Sequence, residues 1–125
     1  MSFSYPKKEK LKSQKLIEQL FSEGKSVSAF PLRMVYLKTE FEDDVQFKTG
    51  VSASKRNFKK AVDRNHIKRL LREAYRLHKT AYFNNISGSY ALMILYISKD
   101  GTDFVSVETK MKQLLDAFSK KVSQN

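Results

Sequence analysis

The sequence predicts a mixed α/β fold, an α+β two-layer sandwich of helices on a sheet. Three patterns carry the prediction. Apolar residues recur at helical spacing in three segments, they alternate with polar ones in two others, and YALMILYI (Tyr90 to Ile97) is almost wholly apolar. At 125 residues the chain forms one domain, 1–125, with one modest core.

The elements follow in chain order. Residues 1–12 hold Pro6 and four lysines and read as an irregular basic arm. Leu16, Ile17, Leu20 and Phe21 share one helical face. Ser13 is placed to cap this helix and Gly24 to end it, so the helix spans about Ser13 to Glu23. A short extra strand is possible around Ser26 to Ala29, before the interruption at Pro31. Leu32 to Lys38 reads as a strand with Leu32, Met34 and Tyr36 on one face and Arg33, Val35 and Leu37 on the other. An acidic turn, Glu40 to Asp44, follows. Val45, Phe47, Thr49, Val51 and Ala53 then alternate with Gln46, Lys48, Gly50, Ser52 and Ser54, the pattern of a half-buried strand. A long basic helix spans about Phe58 to Lys79, and Asn84 to Gly88 is a loop. Tyr90 to Ile97 is a central strand buried on both faces. After a turn at 99–102, the last helix covers about Ser106 to Lys120, with Val107, Met111, Leu114, Leu115 and Phe118 inward. The order is α-β-β-(β)-α-β-α, where the bracket stands for the possible short strand.

Charge narrows the class of partner. There are 24 Lys and Arg against 13 Asp and Glu, a net charge of +11. From Lys55 to Lys79 ten cations face two acids, Asp63 and Glu73, so this stretch alone carries 10 − 2 = +8. A polyanion is the implied partner. A membrane surface fits poorly, because the apolar stripe of the basic helix is needed for the core and the chain has no Trp. Cysteine is absent, which excludes disulfides and thiolate metal sites. No apolar run reaches membrane-spanning length and the first residues have no signal-peptide core, so a cytoplasmic protein is expected.

Within the basic helix, Ile67, Leu70, Leu71 and Ala74 make the inward stripe. Arg64, Lys68, Arg72 and Arg76 follow at intervals of four along one exposed edge, with Asn65 and Arg69 beside them. Like charges at this spacing oppose helix formation by roughly 0.2–0.5 kcal/mol per pair. A merely solvated face would mix signs. Unrelieved repulsion over three turns points to a surface that meets phosphates, which arginine's planar fork grips in pairs.

Catalytic chemistry has no visible constellation. The two histidines lie twelve residues apart on the basic helix, and the acids of Glu40 to Asp44 lack ligand-like spacing. There is no Gly-rich phosphate loop and no nucleophile paired with a base. No metal site and no catalytic residue are expected in the protein.

KKAVDRNHIKRLLREAYR, Lys59 to Arg76, resembles the signature of the bacterial ribonuclease P protein subunit. The matching residues are Arg64, Asn65, Ile67, Lys68, Arg69 and Arg72. His66 departs from the pattern, standing where the family usually carries a second arginine. GVSASKR (Gly50 to Arg56) is similar to the strand and turn before that helix, and LIEQLFSEGKS (Leu16 to Ser26) to the family's first helix.

The resemblance implies a ribosomal-protein-S5-like fold with a left-handed βαβ crossover, against the usual hand. It also implies two RNA partners and no protein partner. Ribonuclease P RNA would meet the basic helix through Lys60, Arg64, Asn65, His66, Lys68, Arg69, Arg72 and Arg76. The 5′ leader of precursor tRNA would lie in a cleft between the first helix and the sheet. Phe21 there would stack a base, Ile17 stands where relatives often have an aromatic, and Arg33 would meet leader phosphate. Ser52, Ser54, Lys55 and Arg56 would hydrogen-bond sugar or phosphate. Tyr36 is a further candidate, but it falls on the opposite face of its strand from Arg33, so one of the two must fail. The RNA would hydrolyse the phosphodiester with magnesium ions at its own active site, the protein binding no cofactor. The two binding surfaces are expected to be separate. A ribosomal-protein-like RNA-binding module without a role in cleavage is the alternative. A major-groove reader is disfavoured by the lack of a short helix and tight turn before the basic helix.

Overall fold

The computed structural model describes residues 7–43 and 45–123. Its strands are β1 (Lys25–Ala29), β2 (Leu32–Lys38), β3 (Phe47–Ala53) and β4 (Tyr90–Tyr96); its helices are α1 (Gln14–Glu23), α2 (Ala61–Phe83) and α3 (Phe104–Ser123), preceded by a short 3₁₀ turn at Lys7–Glu9. The sheet order is β1-β2-β4-β3. β1 and β4 both run antiparallel to β2, while β3 and β4 are parallel neighbours joined by α2. The possible short strand is therefore real and forms one edge of the sheet. Asp44, the end of the expected acidic turn, and the first six residues of the expected arm lie outside the described residues.

Two cores flank the sheet. On one face Leu32, Met34 and Tyr36 of β2 and Leu92, Ile94 and Tyr96 of β4 pack against Ile67, Leu71, Ala74 and Tyr75 of α2 and Met111, Leu114, Leu115 and Phe118 of α3. On the other, Val35, Ala91 and Met93 meet Leu11 and Leu20, with Leu16 and Ile17 against them. The helix layer of α2 and α3 is thus joined by a partial third layer, α1, which packs mainly on β2 and β4. β4 is buried on both faces because it is the central strand with helices on either side, which explains its uninterrupted apolar run.

Local chemistry sets the boundaries. The Ser13 hydroxyl accepts from the Leu16 amide at 3.2 Å, capping α1. At its other end Gly24 permits a close approach: a Cβ there would collide with the Leu20 carbonyl and sit 2.9 Å from both the Tyr36 carbonyl and a Val35 methyl. α2 begins three residues later than the sequence suggests. Arg64 Nη1 donates to the carbonyls of Phe58 (2.8 Å) and Lys59 (3.1 Å), holding that stretch as a turn outside the helix. α3 begins earlier, since Asp103 Oδ1 accepts from the Ser106 amide at 2.9 Å. That bond, strongest among its causes, lowers the Asp103 pKa. Thr49, a buried polar side chain on β3, is bonded to the Tyr75 hydroxyl of α2 at 2.8 Å, which fixes the helix against this edge strand.

Candidate RNA-binding groove

The described part of the N-terminal arm, 7–12, is pinned to the free edge of β3. Leu11 N donates to the Thr49 carbonyl at 3.1 Å, Lys10 bridges Thr49 in parallel, and the Leu11 side chain is buried. Lys79 of α2 holds Glu9 at 2.6 Å. These ties set Lys10 and Lys12 opposite α2 across an edge strand only one chain wide.

β3 is an edge strand, so long side chains on α2 reach around it. Lys68 and Arg72 therefore line a concavity of about 250 Å³ together with Lys10, Lys12, Ile17, Gly50 and Met93. Its floor is tight: a Cβ on Gly50 would lie 3.0 Å from Met93 Cε. Among the described residues four cations line this groove and no carboxylate does. Neither Lys68 nor Arg72 is in an ion pair with another described residue. The expected separation of the two surfaces is corrected here, because residues assigned to the basic helix share one concavity with Ile17 of α1.

Beside the groove the sheet is open. Ser28, Arg33, Leu95 and Ser52 form one row across all four strands, on the face that α1 covers only in part. Arg33 is exposed and reaches Ser26 Oγ at 3.4 Å. Ser52 is half-buried. Phe21, one turn beyond Ile17 on α1, is 52% exposed, a large aromatic surface left out of either core. Lys55 and Arg56 are exposed in the turn leading to α2, where the Ser54 hydroxyl accepts from the Arg56 amide at 2.9 Å. Ser54 thus shapes the turn that presents its neighbours.

Tyr36 is the candidate that fails. Its ring is buried against Phe118, 5.1 Å between centroids, and against Tyr90, on the α3 side of the sheet. Burial first, and Tyr90 second, push its phenol pKa up. The even positions of β2 face the larger core and the odd positions face α1, so Arg33 is on the cleft side and Tyr36 is not.

The residues assigned to ribonuclease P RNA also divide. Asn65 and Arg69 stand exposed on the outer crest of α2. Arg64 is a correction: it is half-buried and bonded to the preceding turn, so it does not continue the exposed edge. Arg76 pairs with Glu73. Lys60 and His66 line a different concavity on the far flank of α2, with Lys59, Asp63 and Lys99. Lys10, Lys12, Gly50 and Met93 were not singled out from sequence. The lysine density of the arm was the available signal, but nothing in its irregular pattern indicates that it docks on β3. Among the described residues no group of three or more His, Cys, Asp or Glu side chains is placed to hold a metal ion. No helix formed by them is long and apolar enough to cross a membrane.

A four-stranded α/β domain whose arm, edge strand and basic helix converge on a groove lined by four cations among the described residues belongs to the class of RNA-binding proteins. Comparison with known proteins makes this specific. The ribonuclease P family profile matches residues 5–120. The ribonuclease P protein component of Porphyromonas gingivalis is 35% identical over 119 residues, covering 91% of this chain and 85% of the relative. That of Dictyoglomus thermophilum is 34% identical over 114 residues, covering 90% and 87%. The fold is shared with the ribonuclease P proteins of Thermotoga maritima (TM-score 0.68, 24% identity, 87% of this chain and 96% of that one) and Staphylococcus aureus (TM-score 0.68, 21% identity, 91% and 96%). The chain belongs to the ribonuclease P protein family, the protein subunits of the endoribonuclease that forms tRNA 5′ ends.

Proposed function

We propose that this subunit holds the single-stranded 5′ leader of precursor tRNA in the groove between the arm, α1, β3 and α2, and meets ribonuclease P RNA with the outer crest of α2. The observation that carries the reading is the groove itself: Lys10, Lys12, Lys68 and Arg72 converge on it, with no carboxylate among its described lining residues. Four like charges brought together repel unless a polyanion offsets them. A leader leaving the groove would cross the open row at Ser52 and Arg33, with Phe21 available to stack a base, worth roughly 1–3 kcal/mol per base in single-strand binders. Asn65 and Arg69 face away from that path, and so suit the second RNA. Because the helix flank lines the groove, leader and catalytic RNA would lie on adjoining rather than opposite sides of α2. Hydrolysis belongs to the RNA, with its magnesium ions; the protein contributes position and charge. The site of action would be the cytoplasm.

The test is reconstitution with a bacterial ribonuclease P RNA at low magnesium. The protein should raise cleavage at the mature 5′ end and favour leader-bearing precursor over mature tRNA, and Phe21→Ala should lower that preference. Cleavage by RNA-free protein, or a holoenzyme that ignores the leader, would overturn the proposal.

A further inference from the structure

A separate concavity lies where the ends of β1, β2 and β4 meet the C-terminal end of α3. It measures about 450 Å³, and its lining includes Glu23, Lys25, Tyr36, Lys38, Tyr90 and Lys121. It shares no lining residue with the groove. Its size falls within the roughly 300–1,000 Å³ of small-molecule sites.

Its chemistry has two parts. The rim carries three lysines and one glutamate, and none of these four makes an ion pair with another described residue. Lys121 in the last turn of α3 also offsets the helix dipole. Lys25 and Lys38 sit on strands and have no such role. The inner wall is aromatic. Tyr36 and Tyr90 are each 5% exposed, and both rest edge-on against Phe118. No hydrogen bond joins either hydroxyl to another described residue, yet among the described residues no buried polar side-chain atom lacks a partner. The two hydroxyls are therefore not fully enclosed, and both tyrosines line the cavity. A phenol is protonated at neutral pH and can donate; burial first, and Tyr90 second, push the Tyr36 pKa further up.

From this arrangement we infer a binding site for a phosphate-bearing nucleotide, distinct from the leader groove. The phosphate lies among Lys25, Lys38 and Lys121, and the nucleoside lies against the tyrosine wall, its hydroxyls or ring nitrogens bonded to the phenols. A free nucleotide and one nucleotide of a bound RNA present the same groups, and the site's chemistry accepts both.

The test is an NMR titration of the full chain, following the ring resonances of Tyr36 and Tyr90. The probes are adenosine 5′-monophosphate, inorganic phosphate and a short single-stranded RNA. The monophosphate should move both tyrosines and bind at least tenfold more tightly than inorganic phosphate. Lys38→Gln with Lys121→Gln should weaken it tenfold or more while the remaining spectrum stays native. Lys68→Gln with Arg72→Gln should leave the tyrosine shifts intact. Movement of the tyrosines by the RNA as well assigns the site to an RNA nucleotide; movement by the monophosphate alone assigns it to a free one. Still tyrosines, equal affinity for inorganic phosphate, or indifference to the lysine pair would overturn the site.

Discussion

Replacing Lys68 and Arg72 together by glutamine removes two of the four cations that line the groove. Binding of single-stranded RNA releases counterions, with a log-log salt slope of about −0.7 per phosphate contact. Four contacts give a slope of about −2.8, so affinity falls about 50-fold between 50 and 200 mM salt. With two contacts left the slope is about −1.4 and the same change costs about sevenfold. Both side chains lie at the rim and neither is in an ion pair with another described residue, so the fold should stay intact. Fluorescence anisotropy of a leader-length oligonucleotide across a salt series measures both slopes. If the variant keeps the slope of the native protein, these two side chains do not touch the strand, and the groove reading is wrong.

Three further outcomes follow from the geometry. Arg33→Gln should lower the reconstituted holoenzyme's preference for leader-bearing precursor while Tyr36→Phe leaves that preference unchanged, because only Arg33 faces the open side of the sheet; equal effects would return Tyr36 to the cleft. Leu71→Ala, at a fully buried position, should cost about 2–5 kcal/mol in denaturant unfolding, and a loss under 1 kcal/mol would show that α2 does not pack as described. For Asp103 the folded pKa is lowered, so its contribution is present above the ordinary carboxylate range and lost as pH falls through the folded value. Asp103→Asn should therefore flatten the acid limb of a thermal-stability profile, and an unchanged limb would show that the Ser106 bond is immaterial.

Most of the fold was legible because its signals are local. Period-two alternation gives β2 its limits, Leu32 and Lys38, and the Ser13 cap sets the start of α1. What stayed hidden depends on contacts between distant segments. Alternation shows that Arg33 and Tyr36 point opposite ways, but both faces of β2 are covered by helices, and the strand's own pattern does not say which face meets α1. The helical wheel places Lys68 and Arg72 on one flank of α2. That this flank overhangs an edge strand follows only from the β1-β2-β4-β3 order. Arg64 sits in register with those residues, yet its position in the first turn lets it fold back on Phe58 and Lys59. The described part of the arm, 7–12, lacks periodicity and is held by a backbone bond to Thr49, a buried leucine and the Lys79–Glu9 pair.

The most direct measurement is a photocrosslink from the open sheet row. A photoreactive side chain placed at Ser52, in holoenzyme reconstituted with ribonuclease P RNA and precursor tRNA, should attach to leader nucleotides upstream of the cleavage site. The adduct should vanish when mature tRNA replaces the precursor. Attachment to ribonuclease P RNA, or to the tRNA body whether or not a leader is present, would contradict the account.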